Sequence, residues 1–156
     1  MSTGFKVKVK IVSPLLKTKI PMPSYATEGS AGMDLHACCD TEITIPARSR
    51  GKVPTGIAIE LPGSDLVALV FPRSGLASKH GISLSNAVGV IDSDYRGEII
   101  CLVKNDSDQE FVIHPGDRIA QLAFLPICRV DWEEVTELGE TKRGAGGFGS
   151  TGIGKF

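Results

Sequence analysis

Turn-forming residues divide this chain into short apolar segments, and that division limits the folds it can adopt. The sequence of 156 residues contains 18 glycines and 9 prolines, and it offers no amphipathic stretch of ten or more residues at helical spacing. Short apolar runs between Gly-, Pro- and Asp-rich turns are typical of β-sandwiches, jelly rolls and barrels. We therefore predict an all-β fold, with one or two helical turns at most, around residues 75–80.

The first of these segments shows the strand pattern most clearly. Apolar residues at positions 5, 7, 9 and 11 alternate with lysines at 6, 8 and 10, and a period of two predicts a half-buried strand. Further predicted strands lie at 42–45, 56–61, 66–71, 98–103, 110–113 and 118–125.

Composition favours one ordinary globular domain and excludes several classes of protein. A net charge of −1 at pH 7 provides no basic surface for a nucleic-acid polymer. No apolar run approaches the length of a membrane span, so we expect a cytoplasmic protein without a membrane partner. The four cysteines have no zinc spacing, and we expect them to be reduced and structural.

One candidate anion site follows an apolar strand at residues 70–77. Arg73, Ser74 and Gly75 stand where a short helical turn is expected to begin, and a guanidinium, a hydroxyl and free amides suit a phosphate. An N-cap serine beside a solvated arginine explains the same residues. The phosphate loop G-x-x-x-x-G-K-S/T is absent from the sequence. The spacing G-x-G-x-x-G occurs only in the terminal glycine tract, at residues 144–149 and 147–152, where neither the strand before it nor the helix after it that a dinucleotide site needs is predicted.

A second candidate site lies at residues 86–98, which we interpret as a strand, a tight turn and a return strand. Asp92, Asp94 and Tyr95 are concentrated at its rim, and a carboxylate there could accept a proton from water. Ordinary turn chemistry, which favours Asp, Ser and Gly, accounts for part of this pattern.

Two further polar residues interrupt apolar strands. Asp34 lies between Met33 and Leu35, where a carboxylate needs a cation or a backbone donor, and one contact through water would suffice for Mg²⁺. Gln121 is the polar residue of its strand that could face a site. The three histidines stand apart, and we assign none of them a role.

The last fifteen residues differ in character from the rest. Glycines dominate residues 142–156, together with Arg143 and Phe148, so we expect a flexible tail that follows a β-domain at 1–141. An arginine, an aromatic ring and hydroxyls suit a cover over a phosphorylated planar ligand, although a disordered terminus has a similar composition.

In their order along the chain, five of these segments resemble the motifs of the trimeric dUTP pyrophosphatase family. They are A-G-M-D-L, P-R-S-G-L-A, G-V-I-D-S-D-Y-R-G, G-D-R-I-A-Q-L and R-G-A-G-G-F-G-S-T-G, and together they span most of the sequence. The resemblance implies a β-clip or distorted jelly-roll subunit in a homotrimer, with each active site drawing on all three chains. It also implies Mg²⁺-dependent hydrolysis of dUTP to dUMP and pyrophosphate.

The resemblance also implies a role for individual residues. Asp92 would be the general base, and Asp34 would meet Mg²⁺ through water. The other matching residues would bind the substrate, and they are Arg73, Ser74, Gly75, Asn86, Val90, Ile91, Tyr95, Ile100, Gln121, Arg143, Phe148, Gly149, Ser150 and Thr151. Among them, Tyr95 would exclude the ribose 2′-hydroxyl, and Phe148 would cover uracil.

Two alternatives remain open on the sequence. A dCTP deaminase, or a bifunctional deaminase-pyrophosphatase, would share the fold and the nucleotide class. A non-catalytic trimeric β-protein that senses nucleotides would share the fold without the chemistry, although such a binder would not need Asp92 as a base.

Overall fold

The computed structural model describes residues 4–147. In that range the chain forms twelve strands and one short helix, which confirms the predicted all-β class. In chain order the elements are β1 (Lys8–Ile11), β2 (Ser24–Tyr25), β3 (Met33–His36), β4 (Ile43–Ile45), β5 (Arg50–Pro54), β6 (Ile57–Glu60), β7 (Leu66–Pro72), α1 (Ser74–His80), β8 (Ile82–Leu84), β9 (Gly89–Ile91), β10 (Ile100–Asn105), β11 (Phe111–Ile113) and β12 (Arg118–Pro126).

The main sheet has five strands in the order β2-β3-β12-β7-β9, and every pairing in it is antiparallel. Its central strand β12 places Gln121 opposite Asp34 on one side and opposite Phe71 on the other. The neighbours of Gln121 in β12, Ala120 and Leu122, are buried. Because side chains alternate along a strand, Gln121 and Asp34 share the face of the sheet that turns away from the core.

Three smaller sheets pack around this one, in the orders β5-β10-β8, β11-β4 and β1-β6. Their apolar faces meet the main sheet in one core, whose largest fully buried side chains include Leu35, Ile45, Ile57, Ile99, Ile113 and Leu122. Each such side chain contributes about 1.5–3 kcal/mol to the free energy of folding.

The helix α1 follows β7 directly. Its N-cap residue Arg73 is extended, with φ −93° and ψ 125°, and Gly81 ends the helix in the left-handed region at φ 66°. Gly81 donates its N–H to the Ala77 carbonyl at 3.1 Å, which is how glycine commonly closes a helix. The expected helical turns at 75–80 are therefore present.

Each of the seven predicted strands overlaps an observed strand, but two other predictions from the sequence are wrong. The first strand is not half-buried, because all four residues of β1 are exposed and, within residues 4–147, β1 pairs with β6 alone. The segment 86–98 is not a hairpin, because β9 pairs with β7 whereas the following strand β10 pairs with β5 and β8. The turn after β9 therefore leads from one sheet into another.

Beyond β12 the chain leaves the body of the protein. Every residue from 127 to 147, which we name the C-terminal arm, is exposed, including Trp132 at 95% and Leu138 at 88%. Within the described part of the chain, no helix is long and apolar enough to cross a membrane. The predicted boundary between the β-domain (1–141) and the flexible tail (142–156) falls inside this arm.

Candidate functional site

Several of the predicted site residues meet around a cavity of about 390 Å³, which we name the Asp92 cavity. Its lining consists of Lys52, Val90, Ile91, Asp92, Tyr95, Glu98, Ile100 and Leu102. Five of these residues were predicted from the sequence. No role was predicted for Lys52, Glu98 and Leu102, although Glu98 is the last residue of the candidate segment 86–98.

Hydrogen bonds fix the turn that carries Asp92 and Tyr95. The Tyr95 N–H donates to the Asp92 carbonyl at 3.2 Å, and the Tyr95 hydroxyl donates to the Glu98 carbonyl at 3.0 Å. The tyrosine lies so close to Gly97 that a Cβ there would collide with its hydroxyl oxygen and ring. Glycine at position 97 therefore allows the ring to lie against the backbone.

Glu98 joins this turn to the rest of the fold. Its Oε1 accepts the N–H of Gly56 at 2.8 Å, at the turn between β5 and β6. A carboxylate that accepts a backbone N–H holds two segments in register. One wall of the Asp92 cavity is thus fixed to a second sheet.

Asn86 stands in the loop between β8 and β9, close to the same region. Its side-chain amide nitrogen would lie 3.6 Å from a Cβ built at Gly89, which is the first residue of β9. The next residue, Ala87, adopts a left-handed φ of 59°, and the Ser85 hydroxyl is buried without a hydrogen-bond partner among the described residues. Asn86 itself is exposed, so its amide is free to meet a ligand.

A second group of predicted residues lies on the main sheet, and we name Asp34, Arg73, Arg118 and Gln121 the Asp34 cluster. Asp34 Oδ1 lies 3.2 Å from Arg73 Nε, and Asp34 Oδ2 lies 3.4 Å from Arg118 Nη1. One carboxylate therefore faces two guanidinium groups, and the three side chains together carry a net positive charge. Gln121 is adjacent to Asp34 across the β3–β12 pairing.

Arg73 is held by more than this ion pair. Its Nη1 donates to the main-chain carbonyl of Arg118 at 3.2 Å. Its Nε is buried and not aligned for a hydrogen bond, although it lies within ion-pair distance of Asp34. The attraction to Asp34 is therefore mainly one of charge, and the Nη1 bond gives the guanidinium its direction.

Ser74 and Gly75 begin α1 immediately after Arg73, and both are exposed. A Cβ built at Gly75 would meet no atom within 4 Å. The surface above these two residues is therefore open, as a binding position for phosphate requires.

His36 lies two residues beyond Asp34 in β3, opposite Arg118. Burial lowers the pKa of His36; the nearby Asp34 raises it in part, and Arg118 and Arg73 lower it further. The imidazole is therefore neutral at pH 7 and adds no charge to the cluster. Within residues 4–147, no group of three or more His, Cys, Asp or Glu side chains is arranged to hold a metal ion.

The predicted residues form two groups rather than one. Arg73, Ser74, Gly75 and Gln121 are not part of the lining of the Asp92 cavity. Arg143 lies in the C-terminal arm, where its Nε donates to the Gly146 carbonyl at 2.8 Å. The remaining predicted residues, Phe148, Gly149, Ser150 and Thr151, lie outside the described residues. A larger cavity of about 830 Å³, beside the N-terminal strand, contains none of the predicted site residues.

Comparison with known proteins places this geometry in a family. Residues 18–152 match the model of the dUTPase family. Over 148 residues the chain is 54% identical to a deoxyuridine 5'-triphosphate nucleotidohydrolase of Desulfitobacterium hafniense, covering 94% of this chain and 97% of that relative. It is 46% identical to the protein of that name from Serratia proteamaculans, over 94% of this chain and 97% of that protein.

Solved structures agree with the sequence comparison. The dUTPase of Staphylococcus bacteriophage 80alpha, solved with dUPNHPP, superposes with a TM-score of 0.82 at 26% identity, over 95% of this chain and 99% of that chain. A variant of the dUTPase from phage phi11 of S. aureus superposes with a TM-score of 0.73 at 22% identity, over 85% of this chain and 97% of that chain. That phage structure was described for its coordination of a structural Mg(II) ion. On the strength of the matching residues and the shared fold, this chain belongs to the dUTPase family.

Proposed function

We propose that this protein hydrolyses dUTP to dUMP and pyrophosphate. The observation that carries the proposal is the position of Asp92, a carboxylate on the wall of a cavity that Tyr95, Val90 and Ile100 also line, in a chain of the dUTPase family. Such a cavity suits a base and a deoxyribose, and the carboxylate is placed at its edge to act on water.

In the proposed mechanism Asp92 is the general base. It accepts a proton from water and directs the oxygen at the α-phosphorus, in line with the departing pyrophosphate. Arg73, Ser74, Gly75 and Gln121 bind the phosphates and hold them in that line, so most of the rate enhancement comes from positioning and charge. Residues of the tail, namely Arg143, Phe148, Gly149, Ser150 and Thr151, close over the substrate.

The residues present fit a magnesium ion that is bound mainly through the triphosphate. Asp34 is a single carboxylate whose side chain is 14% exposed, and its oxygens retain lone pairs beyond those that face the arginines. Since Mg²⁺ keeps several of its waters, one such acceptor can meet the hydrated ion. The ion, when bound, neutralises charge on the phosphates.

Substrate selection follows from the walls of the Asp92 cavity. The ring of Tyr95 is fixed against Gly97 and Glu98; in the proposed role it stacks under the deoxyribose, where a 2′-hydroxyl would clash, so ribonucleotides would be refused. Asn86 and main-chain groups, including those of Val90 and Ile100, would read the edge of uracil and leave no room for a 5-methyl group, and Ile91 would also contact the substrate. The hydrogen-bond donors of cytosine do not match the groups that would read uracil. Each buried polar group left unpaired by that mismatch costs about 1–3 kcal/mol, so cytosine is disfavoured.

A homotrimer accounts for the separation of the two groups. The Asp92 cavity of one subunit and the Asp34 cluster of a second subunit would face each other, and the tail of the third would cover them. Supporting this, the C-terminal arm exposes Val130, Trp132, Val135 and Leu138, a set of apolar side chains that a monomer would leave in water. By hydrolysing dUTP, the enzyme would limit the incorporation of uracil into DNA and supply dUMP for dTMP synthesis. A cytoplasmic location stays a prediction from the sequence.

A panel of nucleotides tests the proposal. The eight common ribo- and deoxyribonucleoside triphosphates, with dUTP added, are incubated with the protein and Mg²⁺, and both pyrophosphate and ammonia are measured. We expect pyrophosphate from dUTP alone, and none from dUTP when a chelator removes the metal. Ammonia from dCTP would instead identify a deaminase, and binding of dUTP without any product would identify a nucleotide sensor.

A further inference from the structure

Arg118, for which the sequence predicts no role, contacts both members of the Asp34–Arg73 ion pair. Its main-chain carbonyl accepts a hydrogen bond from Arg73 Nη1 at 3.2 Å. Its own guanidinium places Nη1 3.4 Å from Asp34 Oδ2. One residue therefore touches the proposed phosphate-binding arginine through its backbone, and that arginine's counter-ion through its side chain.

We propose that Arg118 is a positioning residue, which acts through Asp34 to keep the Arg73 guanidinium directed at the triphosphate. The inference rests on the proposed function, because it takes Arg73 to be a phosphate-binding residue. Arg118 itself need not touch the substrate.

The backbone contact depends on an irregularity in β12. The pairing of β12 with β3 shifts between Arg118 and Ala120, so that these residues oppose the consecutive His36 and Leu35. An extra residue of this kind bends a strand and redirects its carbonyl groups. Here the carbonyl of Arg118 accepts a hydrogen bond from the side chain of Arg73, the residue that follows the neighbouring strand β7.

The side-chain contact acts through charge. If Arg73 were the only partner of Asp34, the carboxylate would neutralise the positive charge of the Arg73 guanidinium, which is the charge that attracts the phosphates. The Arg118 guanidinium shares that carboxylate, so the cluster keeps a net positive charge and Arg73 remains attractive to an anion. Burial increases the effect, since the side chains of Asp34 and Arg73 are only 14% and 24% exposed.

The geometry also leaves donors on Arg73 available. Among the described residues, Nη1 makes the only hydrogen bond of its guanidinium, to the Arg118 carbonyl, while Nε is buried without one. The Nη2 group is thus free to donate to a phosphate oxygen, in the fork geometry that suits such recognition. Arg118 is more exposed, at 53%, and can be changed without disturbing the core.

A double-mutant cycle separates positioning from direct binding. Arg118→Gln, Arg73→Gln and the double variant are prepared in the full chain, with Arg48→Gln as the matched control, because Arg48 forms an exposed pair with Asp108 at 2.7 Å on a distant turn. For each variant, KM and kcat for dUTP are measured with saturating Mg²⁺. The Kd of a non-hydrolysable imido analogue of dUTP and the thermal midpoint are measured alongside.

We expect Arg118→Gln to raise KM and the analogue Kd roughly 10-fold while kcat changes by less than about threefold. Arg118→Lys should recover most of the loss, because the second cation is restored. In the Arg73→Gln background, Arg118→Gln should have no further effect, since there is no guanidinium left to direct. Arg48→Gln should behave as wild type.

Two outcomes would overturn the inference. If Arg118→Gln leaves KM unchanged, the side chain does not position Arg73; if its effect is fully retained in the Arg73→Gln background, Arg118 acts independently of Arg73. A different result would count against the proposed function instead: an Arg73→Gln variant with normal KM and kcat would show that Arg73 does not bind the triphosphate at all.

Discussion

The walls of the Asp92 cavity are mostly apolar side chains, whereas the Asp34 cluster consists of charged side chains that face one another. In the cavity, two hydrogen bonds fix the walls: the Tyr95 hydroxyl donates to the Glu98 carbonyl, and the Glu98 carboxylate accepts the N–H of Gly56. In the cluster, the positions of Arg73 and Arg118 depend on their common partner Asp34. A planar, largely neutral base suits the first arrangement, and a polyanion suits the second.

This contrast indicates how the two regions should respond to mutation. A rigid apolar wall selects by shape, so a change there should alter which nucleotide is accepted. A network of charges supplies affinity and alignment, so a change there should alter how tightly any triphosphate is held. The carboxylate of Asp92 differs from both, because it is proposed to take part in the reaction.

The largest effect is expected at Asp92. Asp92→Asn keeps the shape of the side chain but removes the base, so kcat should fall by about 10²–10⁴ while the Kd of the imido analogue stays near wild type. Asp94→Asn, two residues along the same turn, is the matched control and should retain most activity. If Asp92→Asn turns over dUTP at a near-normal rate in a pyrophosphate assay, Asp92 is not the general base and the proposed mechanism is contradicted.

A smaller loss is expected when the tail is removed. A chain that ends at residue 141 keeps both the Asp92 cavity and the Asp34 cluster but lacks Arg143 and everything beyond. We expect kcat/KM to fall by about 10²–10³, which is the range for losing one donor to a developing oxyanion, while sedimentation still reports the same assembly as the full chain. Full activity in the shortened protein would show that the tail does not cover the site.

The smallest of these changes is expected at Tyr95, and it concerns selectivity. Tyr95→Ala should raise the kcat/KM of UTP relative to that of dUTP by roughly 10-fold, because the ring that excludes the 2′-hydroxyl is gone. Tyr95→Phe retains the ring and loses only the bond to the Glu98 carbonyl, so it should preserve most discrimination. If the ratio of kcat/KM for UTP to that for dUTP is unchanged in Tyr95→Ala, Tyr95 does not recognise the sugar.

Much of the sheet structure could be predicted from local patterns. The predicted strands at 66–71 and 118–125 correspond closely to β7 (Leu66–Pro72) and β12 (Arg118–Pro126), because both are nearly continuous apolar runs. The strand β5 was missed, since Arg50–Pro54 has a single buried side chain, Val53, among charged residues, Gly and Pro. These residues have a low intrinsic propensity for strands, but pairing with β10 makes the segment a strand all the same.

Partners of strands were harder to predict than the strands themselves. Turn residues after β9 indicated a hairpin, but turn chemistry does not specify which strand pairs with which, and here the chain passes into another sheet. The same difficulty explains the missed site residues. Lys52 reaches the Asp92 cavity because β5 pairs with β10, which places it opposite Leu102, and Arg118 reaches Asp34 across 84 positions of sequence.

Complementation between two impaired chains tests most directly whether the Asp92 cavity and the Asp34 cluster of different subunits form one site. Asp92→Asn and Arg73→Gln chains carrying different affinity tags are co-expressed, assemblies that contain both are purified through the two tags, and kcat/KM for dUTP is measured well below KM. If neighbouring subunits of a threefold assembly each supply one group, one site in three should be intact, so activity should recover to about one third of wild type. If mixed assemblies are no more active than the average of the two impaired proteins, each chain builds its own site and the account of a shared one is contradicted.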